Sequence, residues 1–297
     1  MSNIVKIYQE AYEKAFNKLK NNSNVIAIIV YGSIVSGDLW EESDIDFFVI
    51  TKEQNKMINI YSKINNVPVQ VNYVSKDIFI ESYKNLLKGG TFHKAFFTGK
   101  LVYCLDDDIK DIYNSIRFYY DRDRSIRNIE ILCNILNCLH YSRKYYVTGK
   151  YETSFQWIVD LITNFARLQL NMMGHITDKD ILSFAVNMDE NIERLFDVIN
   201  SGITLKEKIS IIIESVCKYL DQNIEDISYP IIEFLKEKKD FVSVNDIKSA
   251  DEFRQIDGNL NLLLEFLAKK GLINQTLRSL KTRGDEELIE EIVYYVC

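Results

Sequence analysis

Val25 to Ile50 reads VIAIIVYGSIVSGDLWEESDIDFFVI: an apolar run that breaks at Gly32-Ser33, then ten intervening residues, then Asp44-Ile45-Asp46 opening a second apolar run. Short apolar runs bounded by turn residues read as buried strands. Side chains alternate along a strand, so Asp44 and Asp46 project to one face while Ile45 points to the other. Two carboxylates this close repel, and each raises the other's pKa unless a cation lies between them. Mg2+ is the expected cation, because it takes hard oxygen ligands from one or two carboxylates and from substrate phosphates. The turn supplies the other half: Gly32 lets backbone approach a phosphate, a following helix N-terminus attracts anions, and Ser33 adds a hydroxyl. Together they suit a nucleoside triphosphate whose tail rests on Gly32 and Ser33 and whose metal is held by Asp44 and Asp46. The plainer alternative, a turn beside solvated polar residues Ser43, Asp44 and Asp46, is weakened because Phe47, Phe48, Val49 and Ile50 carry the strand into a core.

Tyr31 to Ile50, YGSIVSGDLWEESDIDFFVI, resembles the signature of the DNA polymerase beta-like nucleotidyltransferase superfamily, a Gly-Ser turn followed by Asp-x-Asp. Among its members the chain most resembles small bacterial nucleotidyltransferases that adenylylate aminoglycoside and lincosamide antibiotics. The resemblance implies ATP or another NTP as co-substrate, Mg2+, and transfer of a nucleoside monophosphate to a hydroxyl of a small acceptor. It also implies a third carboxylate on a neighbouring strand. The matching strand is VPVQVNYV, Val67 to Val74, in which Pro68, Gln70, Asn72 and Val74 share a face, and the acid's place falls on Gln70. Gln offers an amide oxygen but no charge, so it cannot ionise a substrate hydroxyl. Two explanations stay open: a single-metal enzyme with its base elsewhere, or a nucleotide-binding relative with weakened activity.

In the related antibiotic-modifying enzymes a carboxylate from the helical domain accepts the acceptor's proton. Here GKYETSFQWIVDLITNFARLQL, from Gly149, resembles that helix, with Phe155, Ile158, Ile162, Phe165 and Leu168 at helical spacing. Glu152 in its first turn is the expected base and Asp160 the other candidate; each also reads as an ordinary solvated helix acid. In HKAFFTGKLVYCLDD, from His93, Lys94 and Lys100 could neutralise phosphate, and Lys100 is taken as a nucleotide-binding residue. Its plain reading is a solubility lysine at a strand edge.

The chain's 297 residues suit two or three domains, with 47% hydrophobic and 27% charged residues. No run is long and apolar enough for a membrane span, and MSNIVKIYQEAYEKAFNKLK reads as an amphipathic helix unlike a signal peptide, so a cytoplasmic protein is expected. Five cysteines without paired spacing read as reduced thiols, and three scattered histidines make no zinc site. A net charge of -7 disfavours nucleic acid as partner. It steers weakly toward a cationic small acceptor such as an aminoglycoside, although a protein acceptor, as in nucleotidyltransferase toxins, fits the motif equally.

An α+β fold is expected. Residues 1–108 read as helix, strand, turn and helix, strand, strand, helix, strand: a nucleotidyltransferase core ending at the acidic run Asp106–Asp108. Residues 109–225 carry helical period throughout and read as a substrate-binding bundle with turns near Gly149, Gly174 and Gly202. Residues 226–297 read as three helices, the first starting at Ser228-Tyr229-Pro230, then a hairpin turning at Arg283-Gly284-Asp285, which resembles a winged helix-turn-helix. Ser228 to Cys297 holds ten Lys or Arg against thirteen Asp or Glu, so DNA binding is disfavoured and a protein contact, including a homodimer, is expected. A nucleotide-sensing regulator in which a degenerate core controls this tail is the alternative function.

Overall fold

The computed structural model describes residues 2–53, 57–84, 91–116, 118–176, 180–281 and 287–296. The chain is α+β and forms two compact units, Met1–Tyr119 and Tyr120–Cys297.

The first unit runs α1 (Ser2–Lys20), β1 (Val25–Tyr31), α2 (Ser33–Ser36), β2 (Ile45–Thr51), β3 (Ile58–Ile64), β4 (Val67–Ser75), α3 (Lys76–Lys84), α4 (Thr91–Thr98), β5 (Lys100–Cys104) and α5 (Asp107–Ser115). Its five strands form one mixed sheet in the order β3-β4-β2-β1-β5, with β2 and β4 parallel and the other neighbours antiparallel. The near-continuous apolar runs of β1 and β2 place them inside the sheet, covered on both faces. On one face Ile28, Val30, Ile45, Phe47, Val49, Val67, Val69 and Val71 pack under α1 through Tyr8, Ala11 and Ala15. On the other, Ile29, Phe48, Ile50 and Val74 pack with Phe79 of α3, Phe96 of α4, and Ile109 and Tyr113 of α5.

Two features of this unit differ from the sequence expectation. The strand β3 is an addition to it: this is an edge strand whose residues are almost all exposed, so no buried face imposes a pattern on it. The acidic run at 106–108 is not a domain boundary but the start of α5. Asp106 caps that helix by accepting from Ile109 N at 3.2 Å, and Lys76 Nζ lies 2.7 Å from both Asp106 and Asp108. This lysine holds the Asp106 carboxyl below its usual value. With Ile109, Tyr113 and Ile116 buried against the sheet, α5 belongs to the first unit.

The second unit contains α6 (Asp121–Val147), α7 (Tyr151–Met172), α8 (Ile181–Met188), α9 (Glu190–Asn200), α10 (Leu205–Lys238), α11 (Val244–Ser249), α12 (Leu260–Lys269) and the antiparallel pair β6 (Asn274–Lys281) and β7 (Glu287–Tyr295). Gly149, at φ 72°, turns α6 into α7. The helix expected to start at Ser228 is instead the last part of α10, which runs unbroken through 225/226 with Pro230 inside it. Burial outweighs the proline: Ile224, Ile227, Ile231, Ile232 and Leu235 keep one apolar stripe continuous across it. A bridge between Val242 and Tyr294, made by two backbone hydrogen bonds of 2.9 and 2.8 Å, ties the chain after α10 to β7. The tail therefore follows the order helix, bridge, helix, helix, hairpin; its expected turn at 283–285 lies outside the described residues.

Candidate active site

The end of β1 and the start of β2 lie side by side, with Tyr31 directly opposite Asp46. After Tyr31 the chain turns at Gly32 with φ 77° and ψ -157°, a conformation that side chains oppose, and enters α2. Gly32 O accepts from Val35 N at 3.0 Å and Ser36 N at 3.1 Å, and Gly37, at φ 89°, closes the single turn by donating its N–H to Ser33 O at 2.9 Å. The need for glycine at 32 is also steric. A Cβ built there would collide with the Asp46 carboxylate, whose side chain supplies the three nearest atoms. The acid and the main chain of the turn are thus in direct apposition.

Asp44 is set by the segment before β2. Tyr8 of α1, buried, donates its hydroxyl to Ser43 O at 2.6 Å. Ser43, itself buried, accepts from Trp40 N through its hydroxyl at 3.0 Å and donates its own N–H to Trp40 O at 3.1 Å. Ser43 is therefore a structural clamp and not a solvated loop residue. Ile45 is fully buried on the α1 face, so the half-buried Asp44 and Asp46 flank it on the other side of the alternation.

On β4, Gln70 is the register neighbour of Asp46, and Tyr61 of β3 is the neighbour of Gln70. A row Tyr31, Asp46, Gln70, Tyr61 therefore crosses four strands. Two residues beyond Gln70 on the same face, Asn72 donates its side-chain amide to the Tyr31 hydroxyl at 2.9 Å. Burial first, then the Asp46 charge, with a smaller push from Asp44, raises the Tyr31 phenol to about 12; the Asn72 hydrogen bond opposes the rise. Tyr31 thus stays protonated at neutral pH and senses both aspartates. Tyr8, Tyr31 and Asn72 are site residues that sequence reasoning missed. Asn72 had a signal, since it shares the strand face of Gln70, whereas the roles of Tyr8 and Tyr31 depend on contacts between elements.

The structure does not bring Lys100 into this row. It opens β5 opposite Val30, whose side chain lies in the α1-side core, on the other face of the sheet from Tyr31. The side chain of Lys94 lies outside the described residues. Glu152 stands exposed in the first turn of α7, in the second unit, and Asp160 is exposed on the same helix. His93 is buried, with Nε2 2.6 Å from Ile116 O, a structural role. Cys104, Cys133, Cys138 and Cys217 are free thiols, and burial pushes Cys133 up to about 12 and Cys138 to about 11.

Among the described residues no group of three or more His, Cys, Asp or Glu side chains is placed to hold a metal ion. The row offers the Asp46 carboxylate and the amide oxygen of Gln70, with Asp44 two residues before Asp46 adding a second carboxylate, all hard donors, and the Asp46 carboxylate is set against a backbone that carries no side chain. This donor chemistry would suit a hard divalent cation, which Asp44 and Asp46 would hold.

Comparison with known proteins agrees with the geometry. Residues 13–108 match the family described as Polymerase beta, Nucleotidyltransferase, and the matched span contains the turn, both aspartates and Gln70. No curated protein matches the chain. A crystal structure of a nucleotidyltransferase-like protein from Exiguobacterium sibiricum 255-15 superimposes with TM-score 0.72 at 16% identity, covering 97% of this chain and 99% of that one, and so shares its fold. No helix among the described residues is long and apolar enough to cross a membrane. The core carried by residues 13–108 belongs to the DNA polymerase beta-like nucleotidyltransferase superfamily.

Proposed function

We propose that this chain is a Mg2+-dependent nucleotidyltransferase that moves a nucleoside monophosphate, AMP from ATP, onto a hydroxyl of a small acceptor. The observation that carries this reading is the apposition of the Asp46 carboxylate to the side-chain-free backbone at Gly32. Asp44 and Asp46 would hold the divalent cation. When bound, that cation supplies neutralisation of the triphosphate charge. The Ser33 hydroxyl and the N–H groups opening α2 bind phosphate oxygens of the tail, because the first N–H groups of a helix have no partner within it. Tyr31, held protonated and hydrogen-bonded to Asn72, fixes the wall of the site beside Asp46. In the reaction the acceptor oxygen bonds to the α-phosphorus, the bond to the β-phosphate bridging oxygen breaks, and pyrophosphate leaves. The acceptor proton passes to a carboxylate, for which Glu152 is the proposed base. Positioning and charge stabilisation supply most of the rate in such a transfer.

The acidic balance of the chain, net charge -7, favours a cationic acceptor of the aminoglycoside kind through steering. The neutral Gln70 beside Asp46 supports a second reading: a nucleotide-binding regulator of weak activity whose C-terminal tail, in the element order of a winged helix, contacts a protein partner or a second copy.

The test incubates the protein with α-labelled ATP, Mg2+ and a panel of aminoglycosides, lincosamides and cell extract. Labelled acceptor and stoichiometric pyrophosphate are expected, both abolished in Asp44→Ala and Asp46→Ala. Nucleotide binding without pyrophosphate from any acceptor would overturn the enzyme reading in favour of the regulator.

A further inference from the structure

Two hollows of about 650 and 360 Å3 lie on the second unit, and Arg143, Cys217 and Asp221 line both, so they form two arms of one groove. Its walls come from α6 and α10, with α12 closing the smaller arm. The floor of that smaller arm is apolar. Leu136, Leu139 and Leu220 are buried side chains that line it, and Leu262 and Phe266 of α12 complete it.

The charges where the arms meet are unevenly matched. Asp221 is paired with Lys270, and Glu265 with Lys269 at 3.8 Å. Glu214 and Lys218, one turn apart on α10, bring opposite charges to the larger arm. Arg143, an exposed residue, instead donates from Nη2 to the Cys217 sulfur at 2.8 Å, and no carboxylate among the described residues pairs with it. A thiol is a weak acceptor, whereas a guanidinium carries five donors in a planar fork that matches two oxygens of one anion. Burial raises the Cys217 thiol above its usual value, although Arg143 opposes the rise. The sulfur is therefore neutral at neutral pH and brings no charge to balance the arginine.

We infer that this groove is a second binding site, for a small amphiphilic oxyanion whose carboxylate or phosphate head is held by the Arg143 fork and whose ring or short chain lies on the leucine floor. The head gains charge-assisted hydrogen bonds that the thiol cannot supply, and the body removes apolar surface from water. Arginine alone would select inorganic phosphate, and the floor alone a neutral apolar molecule. Side by side they select a molecule that carries both. The groove uses no residue of the nucleotide site, so the inference stands apart from the reaction proposed above.

The test titrates the full chain by calorimetry with phenyl phosphate, hexanoate, phenol and inorganic phosphate, without nucleotide or Mg2+. Alkylation of Cys217 by iodoacetamide is followed in parallel by peptide mass spectrometry, and circular dichroism checks the fold of each variant. Phenyl phosphate or hexanoate should bind with one saturable equivalent and slow Cys217 alkylation as the site fills; the tighter of the two identifies the head as phosphate or carboxylate. Phenol and inorganic phosphate should each bind at least about tenfold more weakly, since each lacks one of the two contacts. Arg143→Met, which keeps an apolar stem, should weaken the amphiphile at least about tenfold, and Cys217→Ser should still bind it. The inference is overturned if neither amphiphile binds, if folded Arg143→Met binds as tightly as wild type, or if saturation leaves Cys217 alkylation unchanged. Phenol or inorganic phosphate binding as tightly as phenyl phosphate would overturn it as well.

Discussion

Replacing Gly32 by alanine tests the core of the site most directly, because two separable costs meet there. The first is conformational: φ 77° with ψ -157° lies in a region essentially reserved for glycine, costing a side-chain-bearing residue about 1–3 kcal/mol. The second is steric, since the new methyl would occupy the place of the Asp46 carboxylate and force that side chain off its rotamer, about 0.5–1.5 kcal/mol more. A total of about 1.5–4.5 kcal/mol should lower the melting temperature of the first unit by roughly 5–20 °C. Two other glycines serve as controls. Gly37, at φ 89° with open space around it, carries only the conformational cost, about 1–2 kcal/mol. Gly202, also in open space, should be near neutral on substitution, within about 0.5 kcal/mol. The assay is urea unfolding of Gly32→Ala, Asp46→Ala and the double variant, followed by circular dichroism. Removing the carboxylate should relieve the overlap, so the double variant should recover about 0.5–1.5 kcal/mol relative to the sum of the single costs. If Gly32→Ala costs no more than Gly37→Ala and the coupling is zero, Asp46 does not press on the turn and the argument for the site's geometry fails.

Two further outcomes test the surroundings. Folding raises the Tyr31 phenol from 10.0 to about 12, so between those pH values the folded chain binds more protons than the unfolded one and stability falls as pH rises; below pH 10 nothing is lost. Tyr31's share of the loss should be at most about 2–3 kcal/mol across that window, less after solvent screening, and Tyr31→Phe should remove that share; a variant whose alkaline denaturation profile keeps the wild-type slope would contradict this. In α10, Pro230 has no N–H to offer the carbonyl of Asp226, so Pro230→Ala should stabilise the second unit by roughly 1–3 kcal/mol in urea unfolding; a loss of stability would show that the helix depends on the interruption.

The strands that build the site were legible because they are buried. Val25–Tyr31 and Ile45–Thr51 carry apolar runs that only a covered strand tolerates, and the alternation of Val67–Val74 is enough to assign Gln70 to the correct face. The same criterion misses β3, which buries almost nothing. It also misplaces both domain boundaries. An acidic triplet looks like a linker until Lys76, thirty residues earlier in the chain, is seen to pair with it. A proline looks like a helix start until the isoleucine stripe is seen to continue past it.

By itself the sequence determined the local requirements: a glycine where the backbone must turn, two acids on one strand face, an amide where a third acid would stand, and helical period over most of the second unit. Those follow from dihedral limits and from the two-residue and 3.6-residue repeats of strand and helix, which act between neighbours. Tertiary structure alone decided that Asp46 lies against Gly32, that Tyr8 clamps Ser43 ahead of Asp44, that Asn72 reaches Tyr31 across β2, and that Lys100 faces the other side. Each of these is a contact between segments far apart in the chain, set by strand order and register, and no local pattern encodes which strands become neighbours.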